Sequence, residues 1–161
     1  MSFDYSLDFE KINFRKHPEL YLVGKGEQGV LLVEPYKSEI LPYWRFKTPE
    51  IAEKSANKIY ELYQGYKKNN DFVGMDMARK YLQMGWTRSR RYANHKSGKK
   101  YDGPVPEDKK GQSGSHGRNV LPIDFDSEKA KSASIFYEKY RKVANDLYYL
   151  SLKKAFLEKY S

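Results

Sequence analysis

Residues 48–94 restrict the fold most, because apolar side chains recur there at intervals of three and four over two long runs. Thr48-Pro49-Glu50 combines a capping hydroxyl, a proline at the first helical position and an acid in the first turn, which is typical of a helix start. The spacing predicts one helix from Pro49 to about Lys68 and a second from about Phe72 to about Asn94. Between them, Asn69-Asn70-Asp71 ends the first helix and caps the next.

Residues 127–161 show the same helical spacing. Asp126-Ser127-Glu128 is a capping sequence, and Asn145-Asp146 interrupts the apolar stripe that follows it. We therefore expect two C-terminal helices, the second of which begins near Leu147.

Residues 1–47 have a different pattern, in which short apolar runs alternate with turn-forming residues. Alternation of this kind, and short apolar runs bounded by Gly or Pro, indicate strands. The predicted fold class is mainly α with a small N-terminal β-hairpin or sheet, an α+β single compact domain with a long basic loop. The strand candidates lie in the alternating run from Phe3 to Phe9, in Leu20–Val23, in Val30–Glu34 and in Trp44–Phe46.

The six residues GKGEQG, Gly24 to Gly29, match the GxGxxG spacing of phosphate-binding loops. The dinucleotide version of that loop opens a helix, whereas here an apolar run follows it. The protein-kinase version lies between strands, but its accompanying VAIK, HRD and DFG motifs are absent from this sequence. A hairpin turn that uses the positive φ values of glycine accounts for the motif equally well.

We expect residues 1–161 to form one domain with four parts. These are an N-terminal segment with short strands (1–47), a helical pair (48–94), a basic loop rich in Gly, Ser and Lys (95–126) and C-terminal helices (127–161). Long loops in compact domains are usually functional or disordered. The loop is therefore either an arm that orders on a nucleic acid or an inert insertion.

Positive charge is concentrated between Trp86 and Arg118. This stretch has nine Lys and Arg against three acids, whereas the other 128 residues have 21 basic against 18 acidic side chains. Aromatic and histidine side chains are interleaved with the basic ones. Clustered positive charge of this kind indicates a polyanionic partner, most simply RNA or DNA.

The predicted nucleic-acid site combines phosphate-binding cations with rings that stack on exposed bases. Arg88, Arg91, Tyr92 and His95 share one face of the second helix if that helix persists to its predicted end. A solvated basic helix terminus explains the same residues without a partner. The full set of predicted site residues is Trp86, Arg88, Arg90, Arg91, Tyr92, His95, Lys96, Lys99, Lys100, Tyr101 and Arg118.

Two alternative functions remain open. The first is an enzyme that acts on a nucleotide or nucleic acid, with Asp71, Asp76, His95 or Asp102 as acid–base groups. Asp76 and Lys80 are more simply explained as an exposed i, i+4 ion pair. The second alternative is a modulator that binds an acidic protein partner through the basic loop.

Several classes of site are excluded or not expected. The sequence has no cysteine, which excludes disulfides, thiolate catalysis and cysteine-based metal sites. The histidines lack metal-binding spacing, so we expect no metal and no cofactor. No apolar run approaches about 18 residues, and the start lacks the basic and apolar regions of a signal peptide. We expect no membrane association and a cytoplasmic location.

Three long strings also resemble a known family: FRKHPELY, GEQGVLLVEPYKSEILPYWRFKTPEIA and DFVGMDMARKYLQMGWTRSRRYANHKSGKKYDG. The family is small, is found in bacteria and large tailed phages, and is known only as a domain of unknown function or "cytoplasmic protein". The resemblance covers most of residues 1–103 and, more loosely, the C-terminal helices. It implies a soluble intracellular protein and brings no activity, cofactor or catalytic residue with it.

Overall fold

The computed structural model describes residues 3–95, 99–112, 114–122 and 125–160. Within these residues there are five α-helices and three 3-10 helices, the latter at Pro18–Leu20, Leu41–Tyr43 and Glu107–Lys109. The described fold is therefore all-α. The α-helices are α1 (Tyr36–Ile40), α2 (Pro49–Lys68), α3 (Phe72–Asn94), α4 (Ser127–Ala144) and α5 (Leu147–Tyr160).

The predicted bounds of the long helices and their capping residues are confirmed. The Thr48 side chain accepts a hydrogen bond from the Ile51 N–H, and the Asp71 side chain accepts one from the Gly74 N–H. The Asp126 carboxylate accepts from two N–H groups in the first turn of α4. These caps satisfy backbone donors that have no partner inside the helix.

Helix α3 is the centre of the molecule. Every residue from Phe72 to Leu82 is buried, and α3 packs against α1, α2, α4 and α5. A helix that is enclosed on all sides cannot be amphipathic in the ordinary sense. Its polar residues in this half must therefore find partners inside the protein.

Two glycines allow neighbouring helices to approach α3 closely. A Cβ atom at Gly85 would lie 2.3 Å from the Phe136 ring of α4, and one at Gly74 would lie 2.6 Å from the Tyr66 ring of α2. Each ring therefore packs directly on the helix backbone. Larger side chains at these positions would force the helices apart.

The predicted N-terminal β-hairpin or sheet is wrong. Residues 3–47 form turns and short helices and contain no strand. In the run after Gly29, Val30 and Val33 are buried while Leu31 is exposed, a spacing of three that suits turns and not the period of two in a strand. Extended pairing in the described residues is found as isolated bridges, such as that between Tyr101 and Val120.

The apolar residues of the N-terminal segment instead pack as a row of rings. Phe3 stacks on Phe9, Phe9 stacks on Phe14, and Phe14 meets Tyr21 edge to face. Tyr21 in turn contacts Phe156 of α5. The alternation that indicated strands therefore reflects side chains that cover the core from a segment of successive turns.

The strand expected at Trp44–Phe46 is also absent. The Trp44 and Phe46 rings contact each other with centroids 5.0 Å apart, and the Trp44 indole N–H donates to the Tyr81 carbonyl at 3.1 Å. The Arg45 N–H donates to the Ser55 hydroxyl at 3.0 Å. The segment is held against α2 and α3 by these contacts and not by pairing with another strand.

The Asp76–Lys80 ion pair is buried, and its expected exposure is wrong. Both side chains are fully shielded from solvent, with 3.9 Å between Lys80 Nζ and Asp76 Oδ2. Arg79 Nη2 lies 2.7 Å from Asp76 Oδ1. The hydroxyls of Tyr21 and Tyr149 both donate to the same carboxylate. One buried acid therefore receives two cations and two phenols.

The two cations also hold the glycine-rich loop. Arg79 donates to the Gly26 carbonyl at 2.5 Å, and Lys80 donates to the Gln28 carbonyl at 2.7 Å. Asp76, Arg79 and Lys80 thus join α3 to residues 24–29 on one side and, through Tyr149, to α5 on another. We call these three residues with Tyr21 and Tyr149 the Asp76 cluster.

The close packing at Gly85 gives a testable prediction. Gly85→Ala should lower the free energy of unfolding by about 3 kcal/mol, because the added methyl overlaps the Phe136 ring and the core must be repacked. The matched control is Gly65→Ala in α2, where the new Cβ meets nothing within 4 Å. That variant should gain about 0.5–1 kcal/mol from helix propensity. Equal urea midpoints for the two variants would contradict the packing described.

The Asp76 cluster predicts a rise in stability with pH. Burial lowers the pKa of Lys80 to about 7, whereas an unfolded chain has an ordinary lysine that holds its proton to higher pH. Between these two pKa values the unfolded state binds more protons, so the free energy of unfolding should increase as the pH rises from about 7 toward 10.

At higher pH the sign reverses. Burial raises the pKa of Tyr21 and Tyr149 above the ordinary tyrosine value, so the unfolded state loses its phenolic protons first and the folded state is destabilised. Urea unfolding at a series of pH values should show the maximum just below pH 10. Lys80→Met should remove the rise between pH 7 and 10 and leave the alkaline fall. A rise of unchanged size in that variant would show that Lys80 is not its source.

Candidate nucleic-acid interface

A basic pocket of about 330 Å³ lies between the glycine-rich loop, the second half of α3 and the long loop. The glycine-rich loop and the residues after it form one wall, and α3 forms the second. The third side is closed by residues of the long loop, namely Val105, Gly111, Gln112, Gly114 and Arg118. Its lining includes Tyr5, Glu27, Val30, Met84, Thr87, Arg88, Arg91 and Arg118.

Helical spacing brings the α3 side chains to this pocket. Met84, Thr87, Arg88 and Arg91 follow one another at intervals of three, one and three, and all four line the pocket. They share one face because residues three and four apart are neighbours on a helix. Their face emerges where α3 leaves the enclosed core, since Arg88 and Arg91 are only half-buried.

The pocket has an excess of positive charge. Burial and the neighbouring Arg88 charge lower the pKa of Arg91, and Arg118 acts in the same direction. The arginine ion pairs found among the described residues are those of Arg15 and Arg79. Arg88, Arg91 and Arg118 therefore meet without a carboxylate at ion-pair distance in the described part of the chain.

Glu27 is the acidic group in the pocket lining. Burial raises the pKa of its carboxyl, against the opposing effects of the Thr87 hydrogen bond and the Arg88 and Arg91 charges. The Thr87 hydroxyl donates to Glu27 Oε2 at 2.9 Å. The pocket thus contains a carboxylate that is fixed in place and faces a cationic surface.

The glycine-rich loop forms the turn that holds Glu27 there. Gly24, Gly26 and Gly29 all have positive φ, which glycine adopts without strain. The Gln28 and Val30 N–H groups are used within the loop, on the Lys25 and Glu27 carbonyls. The three glycines therefore use positive φ values in turns, as expected, but these turns do not connect the strands of a hairpin.

Arg118 shapes the third wall. Its guanidinium donates to the carbonyls of Ser115, Gly103 and Gly114 at 2.9, 3.1 and 3.0 Å. The same group lies 5.0 Å from the centre of the Tyr101 ring. Arg118 therefore folds the long loop back on itself while it adds charge to the pocket.

The other predicted site residues lie in three kinds of environment. Trp86 packs against Tyr137 and Tyr140 of α4. Tyr92 packs against Phe46, with the Lys129 ammonium 5.6 Å from its ring. His95 is buried, with Nδ1 2.9 Å from the Pro122 carbonyl oxygen. The structure does not bring these three into the pocket lining.

The remaining basic residues are exposed side chains outside the pocket lining, or lie outside the described residues. Arg90, Lys99 and Lys100 are exposed, and Lys100 lies 5.5 Å from the centre of the half-buried Tyr101 ring. Arg90 is not among the pocket-lining residues, because it points from another face of α3 than Arg88 and Arg91. Lys96 lies outside the described residues.

The four acid–base candidates are dispersed, and none of them lines the pocket. Asp71 caps α3 and accepts from the Tyr36 hydroxyl, and Asp76 is enclosed in the Asp76 cluster. The His95 ring meets a backbone carbonyl. Asp102 is exposed, and its N–H donates to the Asn119 carbonyl.

Sequence reasoning missed Glu27, Thr87 and Tyr5. Glu27 and Thr87 are 60 residues apart in the chain. Glu27 lies within the GxGxxG string, whose pattern assigns no role to that position, and Thr87 belongs to no motif. The available signal was the position of Thr87, which is one turn from Arg91 on the helical face already assigned to phosphate contacts.

A larger groove of about 1100 Å³ lies at the other end of α3, between α1, α2 and α5. Charged groups of opposite sign pair in its lining. Arg15 binds the Glu39 carboxylate through two nitrogens, at 2.8 and 2.7 Å, and Tyr66 donates to the same carboxylate. This groove therefore differs from the basic pocket, whose arginines have no such ion pair among the described residues.

The described residues show neither a metal-binding group nor a membrane-spanning helix. They contain no group of three or more His, Asp or Glu side chains placed to hold a metal ion. Among them, no helix has the length and apolar character needed to cross a membrane.

Comparison with known proteins gives a family. A family described as "Domain of unknown function (DUF4385)" matches residues 4–159. Neither a curated protein nor a solved structure matches the chain.

Proposed function

We propose that this chain, which belongs to the DUF4385 family, binds single-stranded RNA or DNA at the basic pocket. Arg88, Arg91 and Arg118 would receive phosphates there. The exposed Lys99 and Lys100 would receive the phosphates that follow along the strand. No reaction is assigned to the site.

The convergence of Arg88, Arg91 and Arg118 carries this proposal. Three guanidinium groups share this half-buried pocket with one carboxylate, that of Glu27, so positive charge is in excess and the guanidinium groups repel one another. Burial lowers the pKa of Arg91, and the Arg88 and Arg118 charges act in the same direction, against the opposing effects of Tyr101 and Glu27. Phosphate is the anion that several neighbouring guanidinium groups bind best, because each presents a planar set of donors. A phosphate ester would relieve the repulsion.

A single strand fits the pocket better than a duplex. Its volume of about 330 Å³ is near the lower end of the range for ligand sites, and it is recessed between three walls. A base that is not paired can enter such a recess, whereas a duplex presents only its outer edges. The half-buried Tyr101, beside Lys100 and Arg118, provides a ring at the rim for a neighbouring base.

Neutralisation of the pocket arginines tests the proposal. Arg88→Gln/Arg91→Gln should weaken binding of a fluorescent oligonucleotide more than tenfold at low salt, because two phosphate contacts are lost. The slope of log K against log salt concentration should fall by about 1.4 in magnitude, from about 0.7 for each contact to a single strand. Parallel titrations with RNA and DNA oligonucleotides would identify the preferred polymer.

The matched control is Lys68→Gln/Lys154→Gln, which removes the same charge from exposed residues on α2 and α5, away from the pocket lining. It should change the affinity less than twofold. Equal losses in both double variants would assign binding to net charge and remove the pocket from the proposal. Wild-type protein that binds no oligonucleotide but retains an acidic protein during purification would favour the protein-partner alternative.

A further inference from the structure

The basic pocket combines three chemical surfaces, only one of which suits a phosphate. Arg88, Arg91 and Arg118 form the cationic surface. Val30 and Met84 are buried apolar residues of the lining, and Tyr5 adds a half-buried ring. Glu27 supplies the third surface. Its carboxylate accepts hydrogen bonds and would repel a phosphate.

A carboxylate beside phosphate-binding arginines would oppose anion binding unless it contacts another part of the ligand. The Glu27 side chain is held by a hydrogen bond, since the Thr87 hydroxyl donates to its Oε2 at 2.9 Å. It is also held by the turn whose neighbouring carbonyls, those of Gly26 and Gln28, bind Arg79 and Lys80. Glu27 is therefore positioned by its own loop and by Thr87 of α3.

We propose that the pocket receives one guanine nucleotide of a single-stranded nucleic acid, with Glu27 accepting hydrogen bonds from the Watson–Crick edge of the base. This inference rests on the proposed function, and it specifies what that function recognises.

The choice of guanine follows from the pattern of donors on the bases. A carboxylate has two acceptor oxygens side by side, and guanine presents two adjacent donors on that edge, N1–H and the N2 amino group. Adenine and cytosine each place a ring-nitrogen acceptor beside their amino donor, and uracil and thymine place carbonyls on both sides of their single N–H. These bases would therefore direct an acceptor toward the Glu27 carboxylate.

The other surfaces suit the rest of such a nucleotide. Tyr5, Val30 and Met84 offer apolar contact to the faces of a base, while the arginines lie where its phosphate would be. A volume of about 330 Å³ is at the low end for ligand sites, so one nucleotide fits and a stack of several does not. The neighbouring nucleotides of the strand would lie on the rim.

The experiment compares oligonucleotides that differ at one base. A short uridine or thymidine oligomer with a single central guanine is titrated by fluorescence anisotropy against the same oligomer with adenine or inosine at that position. Wild-type protein should bind the guanine oligomer about tenfold to a hundredfold more tightly than the adenine oligomer, the range for one bidentate base contact. Inosine, which lacks the amino group, should fall between the two.

Glu27→Gln should bring the guanine-to-adenine ratio close to one. Because this change also removes a negative charge beside the arginines, affinity for the adenine oligomer should stay the same or increase, which a merely structural loss would not produce. Guanosine monophosphate as a competitor would show whether a free nucleotide suffices or the strand is needed. Competition by free nucleotide alone, with no preference in the oligomers, would overturn the single-strand part of the inference.

The two proposals fail in different ways. Tight, salt-dependent binding of all oligomers with equal affinity, unchanged by Glu27→Gln, would overturn the guanine inference and leave the proposed function standing. Absence of binding to every oligomer would overturn both. A guanine preference that persists in Glu27→Gln but is lost in Arg88→Gln/Arg91→Gln would assign base recognition to the arginines and contradict the role given to Glu27.

Discussion

The structure depends on a carboxylate that has been removed from water. Asp76 is buried in the second turn of α3, where burial alone would favour its neutral form, yet Arg79 and Lys80 keep its pKa below the ordinary value. Removing charged groups from water is costly, and it is tolerated only when their hydrogen-bonding capacity is nearly filled. Here two cations and the Tyr21 and Tyr149 hydroxyls meet that requirement.

This constraint connects the core to the pocket. Arg79 Nη1 donates to the Gly26 carbonyl, and the Lys80 ammonium that pairs with Asp76 also donates to the Gln28 carbonyl. Glu27 lies between those two residues. The same helix that encloses Asp76 emerges three turns later with Arg88 and Arg91. One rigid element therefore sets both the acidic and the basic side of the pocket, which is the arrangement that precise binding sites require.

The sequence predicted the elements whose signals are local. The caps at Thr48, Asp71 and Asp126 and the apolar stripes define the long helices without reference to the rest of the chain, and the spacing of Arg88 and Arg91 places both on one face. The predicted N-terminal hairpin or sheet was wrong. Alternating apolar residues do not show that the Gly26 and Gln28 carbonyls accept hydrogen bonds from Arg79 and Lys80 of α3 and not from a neighbouring strand.

Exposure was the second property that the sequence did not reveal. The i, i+4 spacing of Asp76 and Lys80 is the same for a solvated pair and a buried one, and the partners that distinguish them, Tyr21 and Tyr149, lie 55 and 73 residues from Asp76.

The most direct measurement is the free energy of unfolding of Asp76→Asn at pH 7. The control is Asp8→Asn, which removes the acid of the exposed pair with Lys11. We predict a loss of about 3–5 kcal/mol, the cost of leaving buried cations unpaired, and no change in the control. A loss below about 1 kcal/mol, the size expected of a surface pair, would contradict the account.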